Sequence, residues 1–236
     1  YIVHFHRLSI VDPLSRSNQP FISKCERYVL VYNGEIYNYK EIREDLESRG
    51  VKFTTESDTE VLFNYLIYFK CKKISKLDGI FAFAFYDSLE KDIFIGRDKL
   101  GIKPLYYYKD DNSLIFGSTF KSIAINTNTE EKKIDKTSIY RMLKWQSIQI
   151  NELPYNEIKE VLPGHILAFK KNNDTNRIED YLFKSREESL SRVNGDSLFK
   201  NIKKSILEQV DGLEKCALFL SGGLDSSIIA SQLKNN

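Results

Sequence analysis

The sequence predicts an α+β fold: hairpin-rich, layered sheets over most of the chain, then the opening of an α/β unit at its C-terminal end. Three patterns carry that reading. "GIFAFAFYD", "KDIFIGRD" and "KPLYYYKDDNSLIFGS" are short aromatic-rich runs broken by Asp, Gly and Asn, the spacing of strands joined in hairpins. Upstream of them, two stretches carry a helical apolar pattern. Near the end, "KCALFLSGG" is an almost unbroken apolar run leading into a helix, as a strand of a parallel sheet does.

In chain order, "YVLVYNGEIYNYKEIREDLESRG" predicts a β-rich run, a turn at Asn33-Gly34 and an amphipathic helix closed by Gly50. "ESDTEVLFNYLIYFK" predicts a second helix, with Ser57 or Asp58 as N-cap and Glu60 near the capping-box position. In "IFAFAF", Phe81, Phe83 and Phe85 share one face of a strand and Ala82 and Ala84 the other. Such a strand packs large side chains into one layer and sits close against the next. Further on, "NTNTEEKKIDK" is polar and loop-like, "VLPGHILAFKK" reads as a hairpin strand carrying Gly164, and "KKNNDTNRIED" as a turn. A charged amphipathic helix is expected from about Ser185 to Val210, with a domain boundary near residue 185.

The 236 residues, 42% hydrophobic and 29% charged, suffice for one large domain or one domain with part of another. A net charge of +2 leaves no electrostatic footprint for nucleic acid. No run approaches the roughly 20 apolar residues that span a bilayer. Neither nucleic acid nor membrane is therefore expected as a partner. Cys25, Cys71 and Cys216 are scattered and odd in number, which argues against a disulfide scaffold and fits a reducing, cytoplasmic setting. His4, His6 and His165 are too few and too far from the cysteines for a zinc pattern, so no metal-ligating residue is expected. The chain opens on Tyr1 inside the strand-like run "YIVHFHRLSIVD", and its only methionine is Met142. It reads as an internal piece of a longer protein.

Two groups of residues carry chemistry. In "SGGLDSS", a strand, Gly222-Gly223 and a helix bring free backbone N–H groups and the helix dipole to where phosphate oxygens bind. Ser221, Ser226 and Ser227 add hydroxyl donors. The motif is neither Walker A nor GxGxxG, and its plain alternative is a tight turn capped by Asp225 or Ser226. The second group lies in "HRLSIVD", "NGEIYNY" and "SDTEVL". Arg7 offers a bidentate fork to a carboxylate, Glu35 and Asp58 accept from an ammonium, and Asn33 with the Gly34 N–H stabilises a developing oxyanion. Together they suit an α-amino acid whose side-chain carbonyl is under attack. Singly, each has an ordinary reading: a surface ion pair at Arg7, a hairpin turn at Asn33-Gly34, an N-cap at Asp58.

"RLSIVD", "NGEIYNY", "SDTEVL", "DGIFAFAFYD", "GRDKLGIKPLYYY" and "SGGLDSS" occur in that order, and the series resembles the glutamine-hydrolysing asparagine synthetases. The resemblance is densest over residues 7–124 and 216–230. It implies two domains. Residues 1–184 would be a class II glutamine amidotransferase domain of the N-terminal nucleophile type, an αββα sandwich, with its connecting segment. Residues 185–236 would begin an α/β ATP-pyrophosphatase domain. The implied reaction releases ammonia from glutamine and passes it inside the protein to a second site. There aspartate is adenylated with ATP and Mg²⁺, and ammonia displaces AMP to give asparagine.

Carried over by motif, Arg7 would bind the glutamine carboxylate, with Leu8, Ser9, Ile10 and Val11 lining the pocket. Asn33 and Gly34 would form the oxyanion hole, and Glu35 and Asp58 would hold the amino group. Ser221, Gly222, Gly223, Asp225 and Ser226 would cradle the ATP pyrophosphate, with the Phe219 main chain at adenine. "GRDKLGIKPLYYY" would be structural around the glutaminase core and its domain contact, where Arg97 and Asp98 could pair. Glutamine, aspartate and ATP are the implied partners, and a homodimer is left open.

The family's nucleophile is a cysteine at the mature N-terminus whose own α-amino group serves as base, and no residue here matches it. Cys25 lies in a polar loop, Cys71 follows a helix, and Cys216 is expected as an inert thiol buried in a strand. The chain by itself is therefore expected to hydrolyse no glutamine. Two alternatives stay open: a related synthetase with another carboxylate acceptor, and a non-catalytic glutamine-binding module.

Overall fold

The alternation in "IFAFAF" decides how the layers stack. In the computed structural model, which describes residues 18–70, 74–111, 113–127, 134–147, 152–172, 175–182, 194–211, 213 and 215–233, these residues belong to strand β3 (Gly79–Asp87). Phe81, Phe83 and Phe85 join Leu30, Tyr32 and Ile36 of β2 (Tyr28–Ile36) beneath two helices, α1 (Tyr39–Ser48) and α2 (Asp58–Phe69). The helices close this core with Ile42, Leu46, Leu62 and Leu66. Each large apolar side chain so buried stabilises the fold by about 1.5–3 kcal/mol. Ala82 and Ala84 face the other way, into a second core with Ile95, Leu105 and Val161.

β3 lies inside a six-stranded antiparallel sheet. It contains β1 (Phe21–Ile22), β2, β3, β4 (Asp92–Arg97), β8 (His165–Asn172) and β9 (Thr175–Leu182), in that spatial order. A smaller antiparallel sheet has β5 (Tyr106–Lys109) between β6 (Leu114–Gly117) and β7 (Ile158–Glu160). Tyr107 and Phe116 of the small sheet pack on the second core. Its other face, with Tyr106, Tyr108 and Ile158, covers Ile123 of α3 (Phe120–Asn126). The resulting order is helix pair, large sheet, small sheet, helix. A further helix, α4 (Lys136–Trp145), is capped by Asp135, whose side chain accepts from Thr137 N–H.

α2 starts where its cap predicts, with one departure in the capping box. Ser57 caps it and accepts from Glu60 N–H at 3.2 Å. Glu60 does not complete a reciprocal capping box. Its buried carboxylate takes the N–H groups of Thr54 (3.0 Å) and Thr55 (2.6 Å) instead, which folds the preceding loop onto the helix.

Asn33-Gly34 is not a turn. Both residues lie within β2, opposite Ala82 and Phe81, and the chain turns later, at Tyr37-Asn38. The reason is a close approach of backbones. A Cβ on Gly34 would stand 2.0 Å from the Ile80 carbonyl oxygen, and one on Gly79 would stand 2.2 Å from the Glu35 carbonyl oxygen. Gly34 also has φ +144°, a conformation that only glycine adopts without strain.

The chain divides into two units, Tyr1–Lys184 and Ser185–Asn236. In the second, α5 (Gly195–Val210) and α6 (Leu224–Leu233) are the regular elements among the described residues. α5 begins at Gly195, where Asn194 is extended and caps it by accepting from Ser197 N–H; the part of the expected helix from Ser185 to Val193 lies outside the described residues. The expected strand in "KCALFLSGG" is absent: residues 215–221 are irregular, with Phe219 99% exposed. A strand needs a neighbour for its backbone N–H and C=O groups, and no other strand is described in this unit. For the same reason Cys216 is exposed rather than buried.

Replacing Gly34 by alanine forces β2 and β3 apart and imposes a strained φ. Gly34→Ala is expected to destabilise the first unit by about 3 kcal/mol, read as a lower denaturant midpoint; an unchanged midpoint would show that the close approach is dispensable.

Candidate functional site

Asn33, Gly34 and Glu35 follow one another near the end of β2, held by β3 alongside. Asp58, the first residue of α2, comes to the same place. Its Oδ2 accepts from the Tyr32 hydroxyl at 2.7 Å and from Ile36 N–H at 3.1 Å. One carboxylate oxygen thus grips β2 on both sides of the trio. Asp58 is buried and stands at a helix N-terminus, where the dipole favours negative charge.

The electrostatics follow from that packing. Glu35 is partly buried, and its carboxyl is pushed up by burial first and by the Asp58 charge second; Lys103 pulls it down. The buried Tyr32 phenol is raised well above its ordinary value by burial and by Asp58. Two acidic groups at close quarters oppose each other's ionisation. A cation beside Glu35 favours its ionised form.

The segment after β4 is held by two buried side chains. Asp98 accepts from the N–H groups of Phe81 (3.2 Å), Leu100 (3.0 Å), Ile102 (3.0 Å) and Lys103 (3.0 Å). Arg97 does not pair with Asp98 as expected. It pairs with Glu160 of β7 at 2.6 Å and donates to the carbonyls of Lys103, Gly101 and Val161. The reason is direction: successive side chains of a strand point to opposite faces, and the Arg97 fork reaches across to the small sheet.

Of the other anticipated residues, Arg7, Leu8, Ser9, Ile10 and Val11 lie outside the described residues, as does Cys71. Cys25 is exposed, and its thiol is lowered by the Ser23 hydroxyl and the Arg27 backbone. It precedes the start of β2, whereas Asn33 lies five residues along that strand, or about 17 Å at the usual rise. Cys25 therefore sits at the wrong end for chemistry at Asn33.

In the second unit, Gly222 has φ +79° and the turn is organised by Ser221. Its Oγ accepts from Gly223 N–H at 3.3 Å and lies 3.0 Å from Ser226 Oγ. Neither Asp225 nor Ser226 caps the turn; Ser226 and Ser227 hydroxyls both donate to the Gly223 carbonyl. Ser221, Gly222, Gly223 and Asp225 are all exposed, and Ser226 is half-buried.

A family model described as a glutamine amidotransferase domain matches residues 2–182. The chain belongs to that family. Named relatives include asparagine synthetase (glutamine-hydrolyzing) 1 of Bacillus subtilis, 35% identical over 98% of this chain and 36% of its own length. A putative asparagine synthetase (glutamine-hydrolyzing) 1 of Methanocaldococcus jannaschii is 36% identical over 90% of this chain and 37% of its own. The asparagine synthetase (glutamine-hydrolyzing) of Rattus norvegicus is 29% identical over 97% and 40%. The chain thus spans little more than a third of the length of these relatives. Among solved structures, glutamine phosphoribosylpyrophosphate amidotransferase from B. subtilis shares 18% identity over 93% of this chain and 47% of its own, with a TM-score of 0.46.

Sequence reasoning overlooked Tyr32, Lys103 and Glu160 in this glutamine amidotransferase domain, and it saw Asp98 only as a partner for Arg97. An Asp ahead of a glycine turn, as in "RDKLG", is a recognisable signal for a carboxylate that binds backbone N–H groups. Nothing local marks the other three, whose partners lie far away in sequence. Tyr32→Phe leaves the buried Asp58 short of one donor and is expected to lower stability by about 1.5–3 kcal/mol. Chemical denaturation checks it, and an unchanged stability would detach the phenol from the fold.

Proposed function

We propose that the first unit binds L-glutamine and releases its side-chain ammonia, and that the chain is part of a cytoplasmic glutamine-hydrolysing asparagine synthetase. The observation that carries this is Asp58 of α2, bonded to β2 on either side of Asn33, Gly34 and Glu35. In this reading the carboxylates hold the substrate α-ammonium and Arg7 its α-carboxylate. Asn33 and the Gly34 N–H stabilise the oxyanion that forms when a thiolate attacks the side-chain amide. That thiolate is a separate requirement. Cys25 does not supply it, because of its place before β2.

Residues 185–236 are read as the opening of the ATP-binding domain. The residues present fit a phosphate: an exposed turn with a left-handed glycine leads into a ten-residue helix, with hydroxyls at Ser221 and Ser226. Ser221, Gly222, Gly223, Asp225 and Ser226 would hold the ATP pyrophosphate, and the Phe219 main chain would lie at adenine. ATP would supply the activating adenylyl group for aspartate, with Mg²⁺ entering on the nucleotide. Among the described residues no cluster of three or more His, Cys, Asp or Glu is spaced to hold a metal.

Calorimetry with L-glutamine tests the first half. Glu35→Gln and Asp58→Asn are each expected to weaken binding at least about tenfold, or ~1.4 kcal/mol, and glutaramic acid, which lacks the amino group, is expected not to bind. Binding that ignores both substitutions would remove the reading. In the protein assembled with its nucleophile and synthetase domain, asparagine, AMP and pyrophosphate are expected from aspartate, ATP, Mg²⁺ and either glutamine or ammonia. Asn33→Ala is expected to lower glutamine hydrolysis about 10²–10³-fold while sparing the ammonia-driven reaction.

Glu35 also gives a pH signature. Its folded carboxyl is raised above the unfolded value, so the folded state binds the proton more tightly and stability falls as pH rises through that window. Glu35→Gln is therefore expected to be at least as stable as the parent near neutral pH, with the difference fading toward about pH 4, the ordinary glutamate range. Thermal melts at several pH values check this. Stability that drops on substitution at neutral pH would contradict the sign.

A further inference from the structure

We propose that Lys103 is a positioning residue of the amino-group cradle, its backbone held by Asp98 against the stretch of β3 that runs beside Glu35. The inference rests on the glutamine reading above and adds a residue to it.

The geometry begins at one oxygen. Asp98 Oδ2 accepts from both Phe81 N–H and Lys103 N–H. Phe81 is the register partner of Gly34, and Ile80 that of Glu35. The same oxygen therefore ties the backbone of residue 103 to the stretch of β3 that runs beside Glu35. From the other side, Arg97 Nε donates to the Lys103 carbonyl at 2.7 Å. Both polar backbone groups of Lys103 are thus held by buried side chains, themselves anchored to β3 and β7. A lysine side chain otherwise samples many rotamers. Fixing its backbone and half-burying the residue restricts the volume the ammonium can reach.

The charged and titratable groups around Glu35 come from each neighbouring element. Asp58 acts from α2, Tyr32 and Tyr37 from β2 and the turn after it, and Lys103 from the segment after β4. Burial and Asp58 both favour the protonated acid, and Lys103 is the cation opposing them. A protonated Glu35 loses acceptor capacity and contributes no charge to an ammonium. Lys103 therefore extends the acid limit of substrate binding. Its own positive charge also competes mildly with the substrate, so its benefit is confined to the acid side.

The test uses Lys103→Met and Lys103→Arg. Only the backbone of Lys103 enters the Asp98 and Arg97 bonds, so both variants keep the clamp. ¹³C NMR titration of the Glu35 carboxyl, assigned with Glu35→Gln, is expected to move to higher pH in Lys103→Met and to return to the parent position in Lys103→Arg. L-Glutamine affinity by calorimetry is expected to fall several-fold at the acid end in Lys103→Met and to be no weaker at the alkaline end. A Glu35 titration that is the same in parent and Lys103→Met overturns the proposal, whatever glutamine does. If the titration moves but no variant, nor the parent, binds glutamine, the hold of Lys103 on Glu35 stands and the glutamine reading fails.

Discussion

Two glycines facing two backbones set the conditions for the rest of the first unit. Gly34 and Gly79 let β2 and β3 run closer than any side chain would permit at those positions. The trio Asn33, Gly34 and Glu35 is held flat in the sheet as a result, rather than curled into a hairpin. A segment built into such a strand inherits the rigidity of two packed layers. The same three residues in a turn would have had the mobility of a loop.

On that platform, buried polar groups do the locating. Asp58 stitches the start of α2 to β2, Glu60 gathers the loop before α2, Asp98 gathers the loop after β4, and Arg97 joins the two sheets through Glu160. These carboxylates are matched to backbone N–H, hydroxyl or guanidinium donors, which is how buried charge is tolerated. Glu35 is the contrast. It is held near Asp58 with burial and like charge both set against its ionised form.

The second unit shows what the same sequence logic lacks without neighbours. α5 has no buried residue and α6 has Gln232 alone among the described residues. Leu218, Phe219, Leu220 and Leu224 are exposed. Apolar runs of this kind find their state only when another strand or sheet face removes them from water.

Local pattern alone determined much of this protein. The cap at Ser57, the amphipathic α1, the two-faced β3 and the hairpins rich in aromatics could all be read from neighbours a few residues apart. Those features depend on periods of 2 and 3.6 residues and on side chains bonding their own backbone. Tertiary structure decided the rest. Asn33-Gly34 has the composition of a turn, and only the carbonyls of Glu35 and Ile80 across the sheet show why glycine is needed there. Tyr32 meets Asp58 26 residues away and Arg97 meets Glu160 63 away, distances at which no local pattern carries information. The "KCALFLSGG" run has the composition of a strand, but a strand is a property of a pair, and a sequence read one segment at a time cannot supply the partner.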